Sequence, residues 1–223
     1  MTNGTARPGG RTARVRAQVL SAAGDLLVER GFDQLDLTEV AQRAQVGKTT
    51  IYRRWGSVTR LIGDLLSDMA EQSVPRAATG SLRGDLRANA ELVARTLSDP
   101  RQGRLFRAVI AASLCDVGAA EALRLFYRIR VQEWAGCVRD AIDRGELAPD
   151  TDCSAVVRAV SAPLYYRMLT TDLPLDLVAA HQAADAAWLA ARSGALGSIG
   201  SSSTAGAQAV DRDTADAVGS ASR

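Results

Sequence analysis

Apolar residues recur along almost the whole chain at spacings of three and four, and nowhere do they alternate with polar residues over the length of a strand. That period belongs to the α-helix. Aromatic residues are 4% of the 223 while apolar residues reach 47%, so the core has to be built from Leu, Val and Ala, a composition that favours helices. The length fits one or two compact units at about 150 residues each. The expected fold is all-α, with about nine helices.

Val15, Val19, Ala22, Ala23, Leu26 and Leu27 mark a first helix from about Arg14, closed at Arg30-Gly31. There the helix dipole favours a cation, and glycine takes a left-handed cap. A second, short helix is predicted from Thr38 to Ala44, with Thr38 as N-cap and Glu39 in the first turn. Gln45-Val46-Gly47 is a tight connector, Lys48 to Arg54 a third helix, and Ser57 caps a fourth that reaches Gln72. Pro75 to Gly80 reads as a linker. Further helices are predicted over 82–97, 102–113, 119–145, 152–170 and 175–192, with a kink at Pro163. The chain thus divides into a flexible basic arm (1–13), an N-terminal unit (14–73), a second helical unit (81–193) and a disordered Gly/Ala/Ser-rich tail (194–223).

Net charge is only +2, but residues 1–60 hold ten cations against five acids, while the other 163 hold 17 against 20. A basic N-terminal module on a mildly acidic body is implied. Three cysteines and one histidine are too few for a disulfide framework or a Cys/His zinc site. No apolar run spans a bilayer and no secretory h-region is present, so a cytoplasmic protein is expected, with no membrane partner. Gly47-Lys48-Thr49-Thr50 imitates a phosphate loop, but Gln42 stands where that loop needs glycine. No catalytic set and no cofactor site is legible, and no enzymatic activity is expected.

The segment Leu37–Trp55, LTEVAQRAQVGKTTIYRRW, holds most of the information. Leu37, Val40, Ala41, Ala44, Val46 and Ile51 point inward and are small or branched, as two closely crossing short helices require. The outward set is Lys48, Thr49, Thr50, Tyr52, Arg53 and Arg54, and no acid occurs between Val40 and Asp64. Cations, hydroxyls and a phenol suit phosphate oxygens and base edges in a major groove. The layout is that of a helix-turn-helix, whose second helix enters the groove of double-stranded DNA.

Residues 14–62 resemble the N-terminal domain of TetR/AcrR-type transcriptional regulators. The resemblance rests on Glu29-Arg30-Gly31-Phe32, Leu37-Thr38, Val40-Ala41-x-x-Ala44 and Thr50-Ile51-Tyr52. It implies a three-helix DNA-binding domain followed by a helical ligand-binding and dimerisation domain. Thr38, Ser57 and Arg60 join the expected DNA-facing set. Arg11 and Arg14 join it if the arm reaches the duplex; an ordinary solvated terminus is the equal alternative. Two departures stand out. Gln45 replaces the family's turn glycine, predicting an unusual backbone there. Val58 replaces its phosphate-contacting lysine, a role that either passes to Arg60 or is absent.

By the same resemblance, the chain is expected to be a repressor, acting as a homodimer on a palindromic operator and released by a small-molecule effector. The candidate effector residues are Leu66, Met69, Phe106, Ile110, Phe126, Arg130, Trp134, Tyr165 and Met168, which are simple core if the body is not hollow. Leu65, Leu66 and Met69 are where an effector would push the fourth helix. Arg130 either pairs with Glu133 or faces the pocket. Val157, Val160, Leu164, Leu177, Ala184 and Trp188 are the candidate dimer contacts. The alternatives are an all-α small-molecule sensor or carrier acting through a protein partner without DNA binding, and an enzyme on a helical scaffold.

Overall fold

The computed structural model describes residues 8–197. Among them nine helices form: α1 (Pro8–Arg30), α2 (Leu37–Arg43), α3 (Lys48–Arg54), α4 (Val58–Glu71), α5 (Leu82–Ser98), α6 (Gln102–Cys115), α7 (Val117–Asp143), α8 (Cys153–Thr170) and α9 (Leu177–Arg192). No strand forms among the described residues, only an isolated bridge between Thr151 and Gly197.

Most helix starts carry the cap that the sequence offers. Ser57 Oγ accepts the Arg60 N–H, Ser81 that of Gly84, Asp116 that of Ala119 and Asp176 that of Ala179, each satisfying a donor that the first helical turn leaves open. The second helix departs from expectation. Its N-cap is Asp36, whose carboxylate accepts the Thr38 N–H at 3.1 Å. Leu37 is buried and has to be helical to reach the core, so the cap falls one residue before it and the Thr38 hydroxyl is released for another partner.

The edges of the expected arm and tail also shift. Helix α1 begins at Pro8, so residues 8–13, expected as flexible arm, are helical and carry Arg11 exposed on α1. Proline suits a first helical turn, where its missing N–H costs nothing. Arg7 and the rest of the arm lie outside the described residues. Helix α8 runs from Cys153 to Thr170 with Pro163 inside it, close to the expected span of 152–170. Residues 194–197, expected as tail, fold back: Gly194 takes φ +78°, and the Asp152 N–H donates to Leu196 O at 2.8 Å. The remainder of the expected tail, 198–223, lies outside the described residues.

Helices α1 to α4 form the N-terminal unit, in which α1 packs on α2 and α4, and α2 on α3. In the body α5 lies against α8 and α9, and α7 against α6 and α8. The two units meet where α4 packs on α7 and α1 on α6. Gly118 makes the α4–α7 approach possible, since a Cβ there would overlap Thr59 Cγ2. Arg101 adds a polar tie, donating to Asp25 at 2.9 Å and Ser21 at 3.1 Å. The linker is fastened as well. Buried Asp85 accepts the Thr79 N–H and hydroxyl at 2.7 and 2.8 Å.

Candidate nucleic-acid interface and the cavity behind it

The connector between α2 and α3 is tight because Gln45 adopts φ +54°, the unusual backbone that its place in the turn predicts. Val46 N–H closes the turn on Ala41 O at 3.0 Å. This geometry seats α3 with Ile51 fully buried and with Lys48, Thr49, Tyr52, Arg53 and Arg54 exposed. Thr50 is half-buried on the same helix. Thr38 and Tyr52 come together at the α2–α3 crossing, their hydroxyl oxygens 3.4 Å apart. Ser57 and Arg60 lie next to the end of α3, both exposed, while Val58 is half-buried.

Ion pairing sorts the cations of this unit. Arg16 binds Asp64 and Asp68, Arg30 binds Glu39, and Arg43 binds Glu29 through two hydrogen bonds of 2.9 and 2.8 Å. Lys48, Arg53, Arg54 and Arg60 have no acidic partner among the described residues. Arg54 instead lies over the Trp55 ring, 5.0 Å from its centroid. The result is a surface of unneutralised cations and hydroxyls on the short, exposed α3 and the start of α4. Such a surface matches a polyanion's phosphates electrostatically, and its Tyr, Thr and Arg groups can address base edges.

Behind the reading unit, at the α4 end of the body, is a cavity of about 300 Å³. Six of the candidate effector residues, Met69, Phe106, Phe126, Arg130, Trp134 and Tyr165, line it. Three candidates do not. Leu66 is packed inside the core, so of the three expected contacts on α4 only Met69 reaches the cavity. Ile110 packs against the core away from it. Met168 borders a second, more polar hollow beside Arg104, Arg107 and Arg167. The sequence reading missed Asn89, Gln102 and Tyr127 as lining residues. Tyr127 falls in sequence on the apolar stripe of α7 and reads as core, and Asn89 gives no signal, because an asparagine on an amphipathic helix reads as solvated.

Arg130 answers to both of its readings. Its Nη1 donates to Glu133 at 2.6 Å and its Nη2 to Val74 O at 3.2 Å, while its stem borders the cavity. Burial draws its pKa down, against the opposing pull of Glu133. Burial also pushes the Tyr127 hydroxyl up to about 12 and that of Tyr165 well above its usual value, so both phenols stay neutral.

The expected dimer contacts fare worse. Val157, Val160, Leu164 and Ala184 are buried within the protomer, 0 to 4% exposed, and cannot meet a partner. Apolar residues cover both sides of α8 and α9, which left the inward side indistinguishable in sequence. Trp188 is half-buried between Arg83 and Arg192, each 5.1 Å from its ring. Leu177 is exposed, as are Tyr166, Leu169, Val178 and Leu189.

Comparison with known proteins agrees with this architecture. Residues 19–64 match the family model described as bacterial regulatory proteins, tetR family, and residues 76–187 match the tetracyclin repressor-like C-terminal domain. The chain is 34% identical over 154 residues to the HTH-type transcriptional regulator YdeS of Bacillus subtilis, covering 69% of this chain and 77% of that one. It is 32% identical over 176 residues to the HTH-type regulator AqdR of Rhodococcus erythropolis, covering 78% and 83%. A Mycobacteroides abscessus protein named DNA-binding transcriptional repressor TetR is 31% identical over 163 residues, covering 72% and 84%. Among solved structures, a TetR family transcription regulator superposes with a TM-score of 0.62 at 30% identity, covering 78% of this chain and 96% of that one. With the recognition-type helix exposed and both family domains present, the chain belongs to the TetR family of DNA-binding, helix-turn-helix transcriptional regulators.

Proposed function

We propose that the chain is a repressor that binds a palindromic operator as a symmetric dimer through α3 and is released when a small molecule occupies the cavity under α4. The observation that carries this reading is the contrast in charge pairing: Arg16, Arg30 and Arg43 are neutralised, while Lys48, Arg53, Arg54 and Arg60 are left to face solvent. Thr38, Thr49, Thr50, Tyr52 and Ser57 supply the hydroxyl contacts, and Arg11 and Arg14 add phosphate contacts from α1. Repression is favoured by the name of the Mycobacteroides relative.

One seven-residue helix addresses few base pairs, so two copies related by a two-fold axis are needed for useful discrimination. The exposed apolar residues Tyr166, Leu169, Leu177, Val178 and Leu189 on α8 and α9 offer the self-complementary face. An effector that binds the cavity better in the DNA-incompetent arrangement shifts the population away from the operator. Helix α4 is the coupling element, because it packs on α7 and carries both Met69 at the cavity and Ser57 at its reading end.

Selection of bound sequences from random duplex DNA with the full chain tests this reading. The expected product is a palindrome with half-site centres about 34 Å apart. No enrichment would remove the regulator reading, and an asymmetric product would remove the symmetric dimer.

A further inference from the structure

Among the residues that line the cavity, Asn89 carries a buried side-chain amide with no hydrogen-bond partner in the protein. Asn89, on α5, is 5% exposed and lines the cavity, and its side-chain oxygen is buried without a hydrogen-bond partner. It is the one such orphan among the described residues. The other buried polar residues are bonded: Asp85 to Thr79, and Thr151 to Ala148 O at 2.8 Å. A buried polar atom left open costs about tenfold or more in an equilibrium constant, so retention of this amide inside an otherwise well-satisfied core points to a hydrogen-bonding partner that arrives from outside.

The remaining walls narrow the chemistry of that visitor. Phe106, Phe126, Tyr127 and Tyr165 form a continuous set of rings with centroids 5.3 to 6.3 Å apart, tilted or edge-on to each other. Flat hydrocarbon surfaces of this kind favour a flat ring against them. The lining holds a single charged residue, Arg130, and Glu133 already neutralises it. An acidic effector would have to displace that carboxylate, and a basic one would find no acid among the lining residues. A cavity of about 300 Å³ is at the small end of ligand sites.

We propose that the effector is an uncharged aromatic molecule carrying a hydroxyl that hydrogen-bonds with the Asn89 side-chain amide. This rests on the reading of the cavity as the effector site.

Three probes of one shape test it: naphthalene, 1-naphthol and 1-naphthoate, titrated calorimetrically into the full chain at pH 7. The expected order places 1-naphthol about tenfold tighter than either of the others, and Asn89→Leu should bring naphthol and naphthalene within twofold. Equal binding of naphthol and naphthalene by the native chain overturns the role of Asn89, and needs no variant to do so. Tightest binding of 1-naphthoate overturns the uncharged class and transfers recognition to Arg130. If no probe binds, the cavity is not a ligand site and the proposal falls with it. The same probes, added to the complex with the selected duplex, test the effector reading separately. The expected result is release of the duplex by naphthol; naphthol binding with duplex affinity unchanged leaves the Asn89 chemistry standing and removes the effector role.

Discussion

Arg16 on α1 grips Asp64 on α4 with two nitrogens, Nε at 3.0 Å and Nη2 at 2.8 Å, and the same carboxylate accepts the Trp55 Nε1–H at 2.9 Å. One side chain thereby joins the first helix, the end of the recognition helix and the helix that leads to the cavity. Asp64→Ala should lower stability by about 1–3 kcal/mol in urea unfolding, since it strands two donors that are partly shielded from water. Trp55→Phe, which removes one N–H and keeps the ring packing, should cost about 1 kcal/mol or less. Equal losses in the two variants would mean that Asp64 acts only through Trp55.

The same carboxylate gives a pH dependence. Burial pushes Asp64 up, but the hydrogen bonds from Arg16 and Trp55 outweigh it and hold the carboxyl below its usual value. A carboxyl with a depressed folded value stabilises fully above the unfolded value of about 3.9 and loses that contribution as pH falls through the folded one. The stability gap between the native chain and Asp64→Asn should therefore be constant from pH 7 to about 5 and narrow below about pH 4. A gap that widened on acidification would show that the pair does not stabilise the fold.

The turn before α3 stores a small strain. Gln45 is exposed and sits at φ +54°, a conformation that costs a residue with a Cβ about 1 kcal/mol relative to glycine. Gln45→Gly should raise stability by about 0.5–1 kcal/mol, reduced somewhat by the greater freedom of glycine in the unfolded chain. Operator preference should not change. A destabilised variant would mean that the Gln45 side chain makes a contact of its own.

What the sequence disclosed and what it hid follow from how local the determining forces are. The connector at Gln45, the cap at Ser57 and the acid-free face of α3 depend on residues a few positions apart, and each could be read directly. The Asp36 cap was missed because Asp36-Leu37-Thr38 offers two caps, and only the burial of Leu37 decides between them. The division of α8 and α9 into core and surface depends on α5, more than 50 residues away in sequence; Val157 and Leu164 differ from exposed Leu169 and Leu177 in nothing but what packs on them. Asn89 was hidden for the same reason. Its meaning comes from the absence of a partner in three dimensions.

The recognition face makes a two-part prediction. Arg53→Ala should weaken operator binding by about 1–3 kcal/mol and relax preference at one base position if the guanidinium reads a base edge. Lys48→Ala should weaken binding evenly across sequences and reduce the salt slope by about one. Both are read from duplex titrations at several salt concentrations. If Arg53→Ala leaves preference intact, its contact is to phosphate.

Met69 is the α4 residue that lines the cavity, so under the proposed coupling, filling the space from that side should imitate an effector. Met69→Trp adds a ring where Phe106, Phe126 and Tyr165 already leave room for one. Some overpacking cost, about 1–3 kcal/mol, is expected in the fold. The informative quantity is affinity for the selected duplex. It should fall at least about tenfold for Met69→Trp and stay within about twofold for Met69→Leu, which keeps the volume and leaves the cavity open. Thermal unfolding of both variants separates loss of the fold from displacement of α4. Unchanged duplex affinity in a folded Met69→Trp protein would show that occupancy of the cavity is not transmitted through α4, and the coupling would then have to run through the α1–α6 contact instead.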